Sequence, residues 1–273
     1  MNQREKILVF IPLYNAETQI PRVLQRVKDE LSHLISGILI IDNVSQDESL
    51  TNALKIVPTL PLIMCTVLQN FENYGLGGSH KIAFRFALAN GYSHVIVLHG
   101  DDQADPKDIR QVIESGLHRR YEKLFGSRFM KGSKLIGYSR KRTLANRVLN
   151  VLVSCISRRN ITDLGSGLNM FSSDFFASPF IAECNNDLTF NNSLIFCEPK
   201  PRLTELFFPI SWTESDQTSN AKLVRQTFTI LVLALKYAAN RNFVLNHLGQ
   251  LNNSQTDFDS KMYYSSEITT ESL

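Results

Sequence analysis

The most constraining feature of this sequence is the segment 95–106, in which a run of four apolar residues passes directly into polar ones. A histidine, two aspartates and a glutamine follow the apolar run within five positions. A short, continuously apolar run is typical of a strand that is buried on both faces of a parallel sheet, and ligands bind where such strands end. The sequence therefore predicts an α/β fold with a binding site at this strand end.

The side chains after this strand form a potential set of metal ligands. If the chain stays extended, His99, Asp101 and Gln103 point to one face, because strand side chains alternate. Carboxylate and amide oxygens suit Mg²⁺ or Mn²⁺, and the imidazole slightly favours Mn²⁺. An acidic turn that caps the next helix is an equally open interpretation, with Asp105 as the N-cap and Pro106 in the first turn.

The rest of the chain alternates between short apolar runs and segments with helical periodicity. This alternation predicts right-handed β-α-β units and a mostly parallel central sheet that is flanked by helices. We predict strands at 7–13, 38–41, 62–68, 95–98, 123–128 and 204–210. We predict helices at 24–34, 48–56, 109–117 and 223–239, and another that follows the third strand and runs to about residue 90.

A glycine-rich loop, residues 70–81, follows the third predicted strand and opens a helix. Its backbone amides and the helix amino terminus could bind phosphate, although a plain tight turn explains the glycines as well. The loop is not a dinucleotide fingerprint, because His80 stands where the last glycine should be. This disfavours a hydride-transferring Rossmann enzyme.

Residues 131–159 are rich in basic side chains and carry an apolar stripe. Such a segment could lie on an anionic membrane surface or grip phosphate, or it could be a helix with one solvated face. A nucleic-acid partner is not expected, because the net charge is only +3 and exposed aromatic residues do not interleave with the basic ones. The basic residues are Lys131, Lys134, Arg140, Lys141, Arg142, Arg147, Arg158 and Arg159.

The composition is that of a globular protein in a reducing compartment. The 273 residues are 43% hydrophobic, which is enough for one large domain. The four cysteines show no CxxC pair, so we predict a cytoplasmic protein. Residues 7–13 are interpreted as a strand rather than a signal peptide, and we find no segment of the roughly 20 apolar residues that span a bilayer.

Six motifs occur in a fixed order along the chain, at 11–17, 41–47, 73–78, 99–103, 163–169 and 219–223. Together they resemble the family-two inverting glycosyltransferases of the GT-A fold over residues 5–225. The branch they resemble contains polyprenyl-phosphate sugar synthases and bacterial surface-polysaccharide transferases. The resemblance implies a GT-A α/β fold and transfer of a sugar from a nucleoside-diphosphate sugar.

Three motifs depart from the family pattern. Asn43 and Val44 replace the second Asp and the Gly of an Asp-Asp-Gly-Ser-x-Asp segment that contacts base and ribose. His99 stands at the first position of an Asp-x-Asp-x-Gln metal motif, and Asn169 replaces the arginine of Asp-x-x-Ser-Gly-Phe-Arg. These replacements suggest a different class of function as the alternative, a nucleotide-sugar-binding module without catalysis.

The resemblance also implies a role for individual residues. The metal, Mn²⁺ or Mg²⁺, would be held by His99, Asp101 and Gln103. Asp101 and Asp163 are the catalytic candidates, with Asp163 as general base for a hydroxyl acceptor. The nucleotide-binding residues would be Pro12, Tyr14, Asn15, Glu17, Asp42, Asn73, Gly75, Lys81, Asp101 and Asp102. The acceptor-binding residues would be Ser127, Arg128, Arg140, Arg142 and Ser166.

The expected partners are a UDP- or GDP-type sugar and either a lipid phosphate or a glycan acceptor. A lipid acceptor would place the protein peripherally at the inner membrane face, and a homo-oligomer is compatible with the sequence. The predicted domain is 1–225, with a nucleotide-sugar half over about 1–106 and an acceptor half over about 107–225. A C-terminal helix is predicted at 226–251, and a flexible tail at 252–273.

Overall fold

The computed structural model describes residues 5–60, 64–196, 204–216, 223–239 and 258–266. Within these residues, eight strands form one sheet, and two short strands form a separate ribbon. The strands are β1 (Ile7–Leu13), β2 (Gly37–Asp42), β3 (Met64–Asn70), β4 (His94–Leu98), β5 (Lys123–Ser127), β6 (Lys134–Ile136), β7 (Leu168–Ser172), β8 (Glu205–Pro209), β9 (Ser211–Thr213) and β10 (Ser260–Ser265).

Helices connect the strands and cover both faces of the sheet. They are α1 (Ile20–Leu31), α2 (Ser49–Ile56), α3 (Gly75–Ala89), α4 (Lys107–Glu114), α5 (Arg140–Ser157), α6 (Ser173–Phe176), α7 (Phe180–Glu183), α8 (Phe190–Phe196) and α9 (Leu223–Ala239). None of the helices in the described parts of the chain combines the length and the apolar character that crossing a bilayer requires.

The strand order of the large sheet is β10-β3-β2-β1-β4-β7-β5-β8. Four of the seven neighbouring pairs are parallel, including the contiguous set β3-β2-β1-β4. The prediction of a mostly parallel sheet flanked by helices is therefore confirmed. From β1 the chain runs outward through β2 to β3, and the connection after β3 returns to the opposite side of β1 at β4. The carboxyl ends of β1 and β4 therefore border the crevice where ligands bind in such sheets.

The apolar runs are continuous because the parallel strands pack against helices on both faces. In β1, Leu8 and Phe10 belong to the same core cluster as Phe84 of α3. Val9 and Ile11 point the other way and belong to the cluster that contains α1. Alternating side chains therefore all find an apolar neighbour, and the strand shows no polar face in its sequence.

The carboxyl-terminal strand β10 corrects one prediction. It pairs antiparallel with β3, and the Tyr263 hydroxyl donates a hydrogen bond to Gln69 Oε1 at 2.9 Å. The prediction of a flexible tail is thus wrong for residues 260–265. The strand closes the sheet edge through backbone hydrogen bonds while Met262 remains 57% exposed, so its sequence carries no apolar signature. Of the predicted helix 226–251, residues 240–251 lie outside the described part of the chain.

Candidate functional site

The carboxyl ends of the parallel strands open into a cleft of about 1180 Å³. Ligand sites for a single small molecule occupy roughly 300–1,000 Å³, so the cleft has room for two ligands side by side. Its walls also include the start of α5, residues 164–167, residues 187–192 and the chain after β9. The residues from the sequence prediction that line it are Pro12, Tyr14, Asn15, Glu17, Asn73, Gly75, His99, Asp101, Gln103, Arg128, Arg142 and Ser166.

Two loops at one end of the cleft, residues 14–18 and 43–49, are held together by side-chain to backbone hydrogen bonds. The Gln46 amide donates to Asn15 Oδ1 at 2.8 Å, and the Glu48 amide donates to Glu17 Oε2 at 3.0 Å. Asn15 has a φ of 48°, a left-handed conformation that asparagine tolerates well. The predicted nucleotide residues Asn15 and Glu17 therefore shape these loops as well as lining the cleft.

Asn43, one of the departures from the family pattern, connects the ends of β2 and β3. Its amide group donates to Asn73 Oδ1 at 2.7 Å, and its Oδ1 accepts from Asn70 Nδ2 at 2.8 Å and from the Tyr74 amide at 3.0 Å. Asn73 Oδ1 in turn accepts from the Gly75 amide at 2.9 Å, where φ is +70°. A carboxylate at position 43 could not donate to Asn73, so the asparagine suits this network.

Asp42, predicted to bind the nucleotide, is fully buried and does not line the cleft. Its Oδ2 accepts hydrogen bonds from Gln69 Nε2 at 2.8 Å and from the Ser45 amide at 3.2 Å. Its Oδ1 has no hydrogen-bond partner among the described residues. A buried carboxylate oxygen without a donor is costly.

His99, Asp101 and Gln103 all line the cleft, although β4 ends at Leu98 and the chain is not extended through Asp102. The His99 amide donates to Gly167 O at 2.9 Å, and the imidazole packs so closely on Gly167 that a Cβ there would lie 2.9 Å from its Cγ. Gly167 thus makes room for the imidazole. Burial lowers the pKa of His99, although the Asp101 carboxylate opposes the shift, and burial raises the pKa of Asp101.

The donor set fits a divalent cation. His99 Nε2 is buried and has no hydrogen-bond partner among the described residues, and the lowered pKa favours the neutral imidazole that metals bind. Asp101 supplies a carboxylate and Gln103 an amide oxygen, both of which suit Mg²⁺ or Mn²⁺. No cluster of three His, Cys, Asp or Glu side chains with metal-binding geometry occurs among the described residues.

Asp102 does not line the cleft, which corrects its predicted role as a nucleotide ligand. Its side chain is 6% exposed and pairs with Arg22 Nε at 2.7 Å and with Arg26 NH1 at 3.3 Å. Asp102 has a φ of 59°, and this left-handed turn directs its carboxylate toward α1. The Arg22 guanidinium also bonds both carboxylate oxygens of Asp216, a residue on the far wall of the cleft.

The prediction that Lys81 binds the nucleotide is also corrected. Its side chain lies inside the fold, where Nζ donates to Ala182 O at 2.8 Å, to Cys184 O at 2.6 Å and to Asn186 Oδ1 at 2.8 Å. An ammonium has three donors, so none remains for a phosphate. Lys81 instead ties α3 to the segment 182–186.

Asp163, predicted as the general base, is buried against Arg128. The Arg128 guanidinium donates to both carboxylate oxygens at 2.8 Å, and the Arg128 and Gly165 amides donate at 2.8 and 3.1 Å. Four donated hydrogen bonds occupy the lone pairs of the carboxylate, so no oxygen position is left to accept a hydrogen bond from an acceptor hydroxyl. Asp163 does not line the cleft, so the general-base prediction is replaced by a role in positioning Arg128.

The two arginines in the cleft are surrounded by aromatic rings. The Arg128 guanidinium carbon lies 4.9 Å from the centroid of the Trp212 ring, and that of Arg142 lies 4.5 Å from the Tyr138 ring. Arg142 also pairs with Glu214 through NH1, at 2.7 and 2.9 Å. Arg142 Nε is a buried donor atom and has no hydrogen-bond partner within the described structure.

Two of the residues predicted to bind the acceptor do not line the cleft, and most of the last motif lies outside the described residues. Ser127 is fully buried at the end of β5, and its carbonyl accepts a hydrogen bond from Ser133 Oγ at 2.6 Å. Arg140 is exposed at the first position of α5 and does not line the cleft. Of the motif 219–223, residues 219–222 lie outside the described residues.

Some cleft residues were missed by the sequence analysis. Trp212 and Glu214 come from β9 and the chain after it, and Tyr138 comes from the loop before α5. The three-residue strands β6 and β9 that position them are too short to show periodicity. Trp212 is the single tryptophan of the sequence. It could have been predicted as a cleft residue, because tryptophan often lines binding sites.

The fold around the cleft is the GT-A fold. Glucosyl-3-phosphoglycerate synthase from Mycobacterium tuberculosis, solved in complex with Mn²⁺, UDP-glucose and phosphoglyceric acid, matches with a TM-score of 0.61. The match covers 86% of this chain and 80% of that one at 12% sequence identity, so it concerns the fold alone.

The chain belongs to glycosyl transferase family 2, whose family model matches residues 8–178. An uncharacterized protein of Methanocaldococcus jannaschii is 28% identical over 169 residues, which cover 62% of this chain and 65% of that protein. The undecaprenyl-phosphate mannosyltransferase of Micrococcus luteus is 25% identical over 169 residues, with coverage of 62% and 67%. The chain therefore spans about two thirds of the length of these relatives.

Proposed function

We propose that this chain transfers a sugar, with inversion, from a UDP- or GDP-type sugar to a polyprenyl phosphate. One observation carries the proposal: His99 and Asp101 line the same cleft as Arg128 and Arg142. The first pair suits a cation-bound diphosphate, and the guanidinium groups suit an acceptor phosphate. Direct transfer requires both molecules to be held next to each other, and a single cleft allows this.

The donor would bind at the strand ends of the parallel half of the sheet. The loops 14–18 and 43–49 would surround the nucleoside, with Asn73 beside it. A divalent cation, Mn²⁺ or Mg²⁺, held by His99, Asp101 and Gln103 would neutralise charge on the leaving diphosphate. The buried, unpartnered His99 Nε2 supports this assignment.

In the proposed reaction, an oxygen of the acceptor phosphate bonds to the anomeric carbon of the donor. The bond from that carbon to the diphosphate breaks, and its electron pair leaves with the nucleoside diphosphate. Because the acceptor oxygen is already anionic, no general base is needed, which agrees with the engagement of Asp163 by Arg128. A glycan hydroxyl would need a free carboxylate within reach, so it is the less favoured acceptor.

The name of the Micrococcus luteus relative supports a polyprenyl phosphate acceptor. Such a lipid stays in the bilayer, so the proposed reaction takes place at a membrane surface, with the protein peripheral at the inner face. The Arg142 Nε atom, which lacks a partner among the described residues, is the donor we assign to the lipid phosphate.

The function is tested by incubating the purified chain with UDP- and GDP-sugars, Mn²⁺ and a short-chain polyprenyl phosphate, and measuring released nucleotide. We expect one donor to give release that depends on the acceptor. If calorimetry detects UDP or GDP binding but no donor is turned over, the alternative of a non-catalytic binding module is correct. Absence of both binding and release would contradict both functions.

Replacing Arg142 by alanine is expected to raise the KM for polyprenyl phosphate about 10–100-fold, because a charge-assisted hydrogen bond contributes about 1.5–3 kcal/mol. The KM for the donor should change less than about twofold, since the donor contacts lie elsewhere in the cleft. The matched control is Arg110→Ala, which removes an arginine that pairs with Glu30 and Glu114 on the surface. If Arg142→Ala changed the KM for the donor as much as the KM for polyprenyl phosphate, the assignment of Arg142 to the acceptor site would be wrong.

A further inference from the structure

Helix α5 has two different faces. On the inner face, Asn150, Val153 and Ser157 are buried, while Arg142 and Leu149 line the cleft. On the outer face, four apolar residues are exposed: Leu144 (66%), Val148 (52%), Val151 (62%) and Leu152 (48%). Cys155, one turn after Val151, is exposed as well.

The four apolar residues form one continuous stripe. Their spacing of four, seven and eight positions from Leu144 places them above one another on the same side of the helix. A helix face that meets only water normally carries polar side chains at these positions. A contiguous exposed apolar row therefore indicates a surface that binds something.

The charges beside the stripe indicate the partner. Arg140, Lys141 and Arg147 are exposed. Helical geometry places Arg140 and Arg147 along one edge of the stripe and Lys141 in line with it, about one turn before Leu144. The sequence of α5 from Arg140 to Ser157 contains four basic residues and no acidic one. An apolar stripe with basic side chains beside it and at its start matches an anionic lipid surface, in which acyl chains receive the apolar side chains and headgroups pair with the cations.

We propose that this outer face of α5 docks on a bilayer that contains acidic phospholipids. A second copy of the chain fits less well, because a two-fold contact through the stripe would bring Arg147 of the two copies close together, and no acidic side chain of α5 is present to pair with it. Docking itself needs no catalysis. The inference rests on the proposed function only where the docked membrane is taken as the source of the polyprenyl phosphate acceptor.

Docking at this face has a consequence for the cleft. Arg142 and Leu149 lie on the same helix but face inward, and a helix with its side chains is about 10–12 Å across. With the outer face on the headgroups, the cleft lies about one helix diameter from the lipid surface. A lipid phosphate can reach Arg142 over that distance while its chain stays in the membrane.

The test is sedimentation of the full chain with vesicles of phosphatidylcholine alone or with 30% phosphatidylglycerol, in about 0.1 M salt. We expect binding to the anionic vesicles and at least about tenfold weaker binding for Val148→Ser/Val151→Ser. The matched control, Leu88→Ser/Met262→Ser, removes two apolar side chains of similar exposure on α3 and β10 and should bind as the wild type does.

A second variant, Lys141→Gln/Arg147→Gln, should weaken binding to anionic vesicles about fivefold per charge, as ~1 kcal/mol per basic residue implies. All variants should keep the wild-type melting temperature and the wild-type nucleotide release with a detergent-dispersed acceptor. If the wild type itself releases no nucleotide with the detergent-dispersed acceptor, the proposed function is contradicted, but the docking is not.

Three results would overturn the docking proposal. The wild type could fail to sediment with anionic vesicles, or the Val148→Ser/Val151→Ser variant could bind within twofold of the wild type. Light scattering could also show a wild-type dimer that this variant converts to a monomer, in which case the face is an interface between two copies of the chain.

Discussion

Replacing Asp101 by asparagine is expected to reduce nucleotide release at least about 100-fold, because the charge that develops on the leaving diphosphate loses its cation. The change conserves the shape of the side chain. It removes only the negative charge of Asp101, which lines the cleft together with His99. Initial rates at saturating donor and acceptor, over a range of Mn²⁺ concentrations, measure the effect. Higher Mn²⁺ should restore part of the rate if the variant has lost metal affinity.

The control for this experiment is Asp105→Asn, a carboxylate in the same turn. Asp105 pairs with Lys107 at 2.7 Å and does not line the cleft. We expect its variant to keep the wild-type rate within about threefold. A rate for Asp101→Asn that equals that of Asp105→Asn would contradict the assignment of Asp101 to the metal.

Replacing Asp163 by asparagine is expected to lower the free energy of unfolding by about 3–5 kcal/mol, the usual cost of removing one partner of a buried ion pair. Arg128 is 12% exposed and Asp163 only 1%, so the guanidinium would be left without its counter-charge inside the protein. Urea denaturation followed by tryptophan fluorescence suits this measurement, because Trp212 stacks on Arg128.

A double-mutant cycle separates this role from general-base catalysis. Arg128→Met removes the charge while keeping an apolar side chain of similar length, so Asp163→Asn/Arg128→Met should recover at least half of the lost stability. The opposite pattern, normal stability of Asp163→Asn together with loss of turnover on a hydroxyl acceptor, would return Asp163 to the role of a base.

The parallel half of the fold could be predicted because it follows local rules. Buried strands have continuous apolar runs, and the boundaries predicted for β1, β2 and β4 differ from the observed ones by one residue or less. His99, Asp101 and Gln103 do line the cleft, whereas the left-handed turn at Asp102, which strand alternation does not predict, turns that carboxylate away from it. These features depend on residues that are close in sequence.

The rest of the site depends on pairs that are distant in sequence. Asp163 meets Arg128 across 35 positions, and Lys81 meets Cys184 across 103. Whether a carboxylate or an ammonium faces a ligand or a buried partner is decided by such contacts, which no local pattern records. The roles first assigned to Asp163 and Lys81 were therefore corrected, although both residues do belong to motifs around the cleft.

The ion pairs of Arg22 have a consequence for how this chain can diverge. A single guanidinium on α1 bonds Asp102, at the turn after β4, and Asp216, on the opposite wall. Loss of either carboxylate leaves the other pair in place, whereas loss of Arg22 releases both walls and leaves the buried Asp102 with Arg26 alone. Descendants of this sequence should therefore tolerate changes at position 216 more readily than at position 22, although position 22 itself touches no ligand in the proposed reaction.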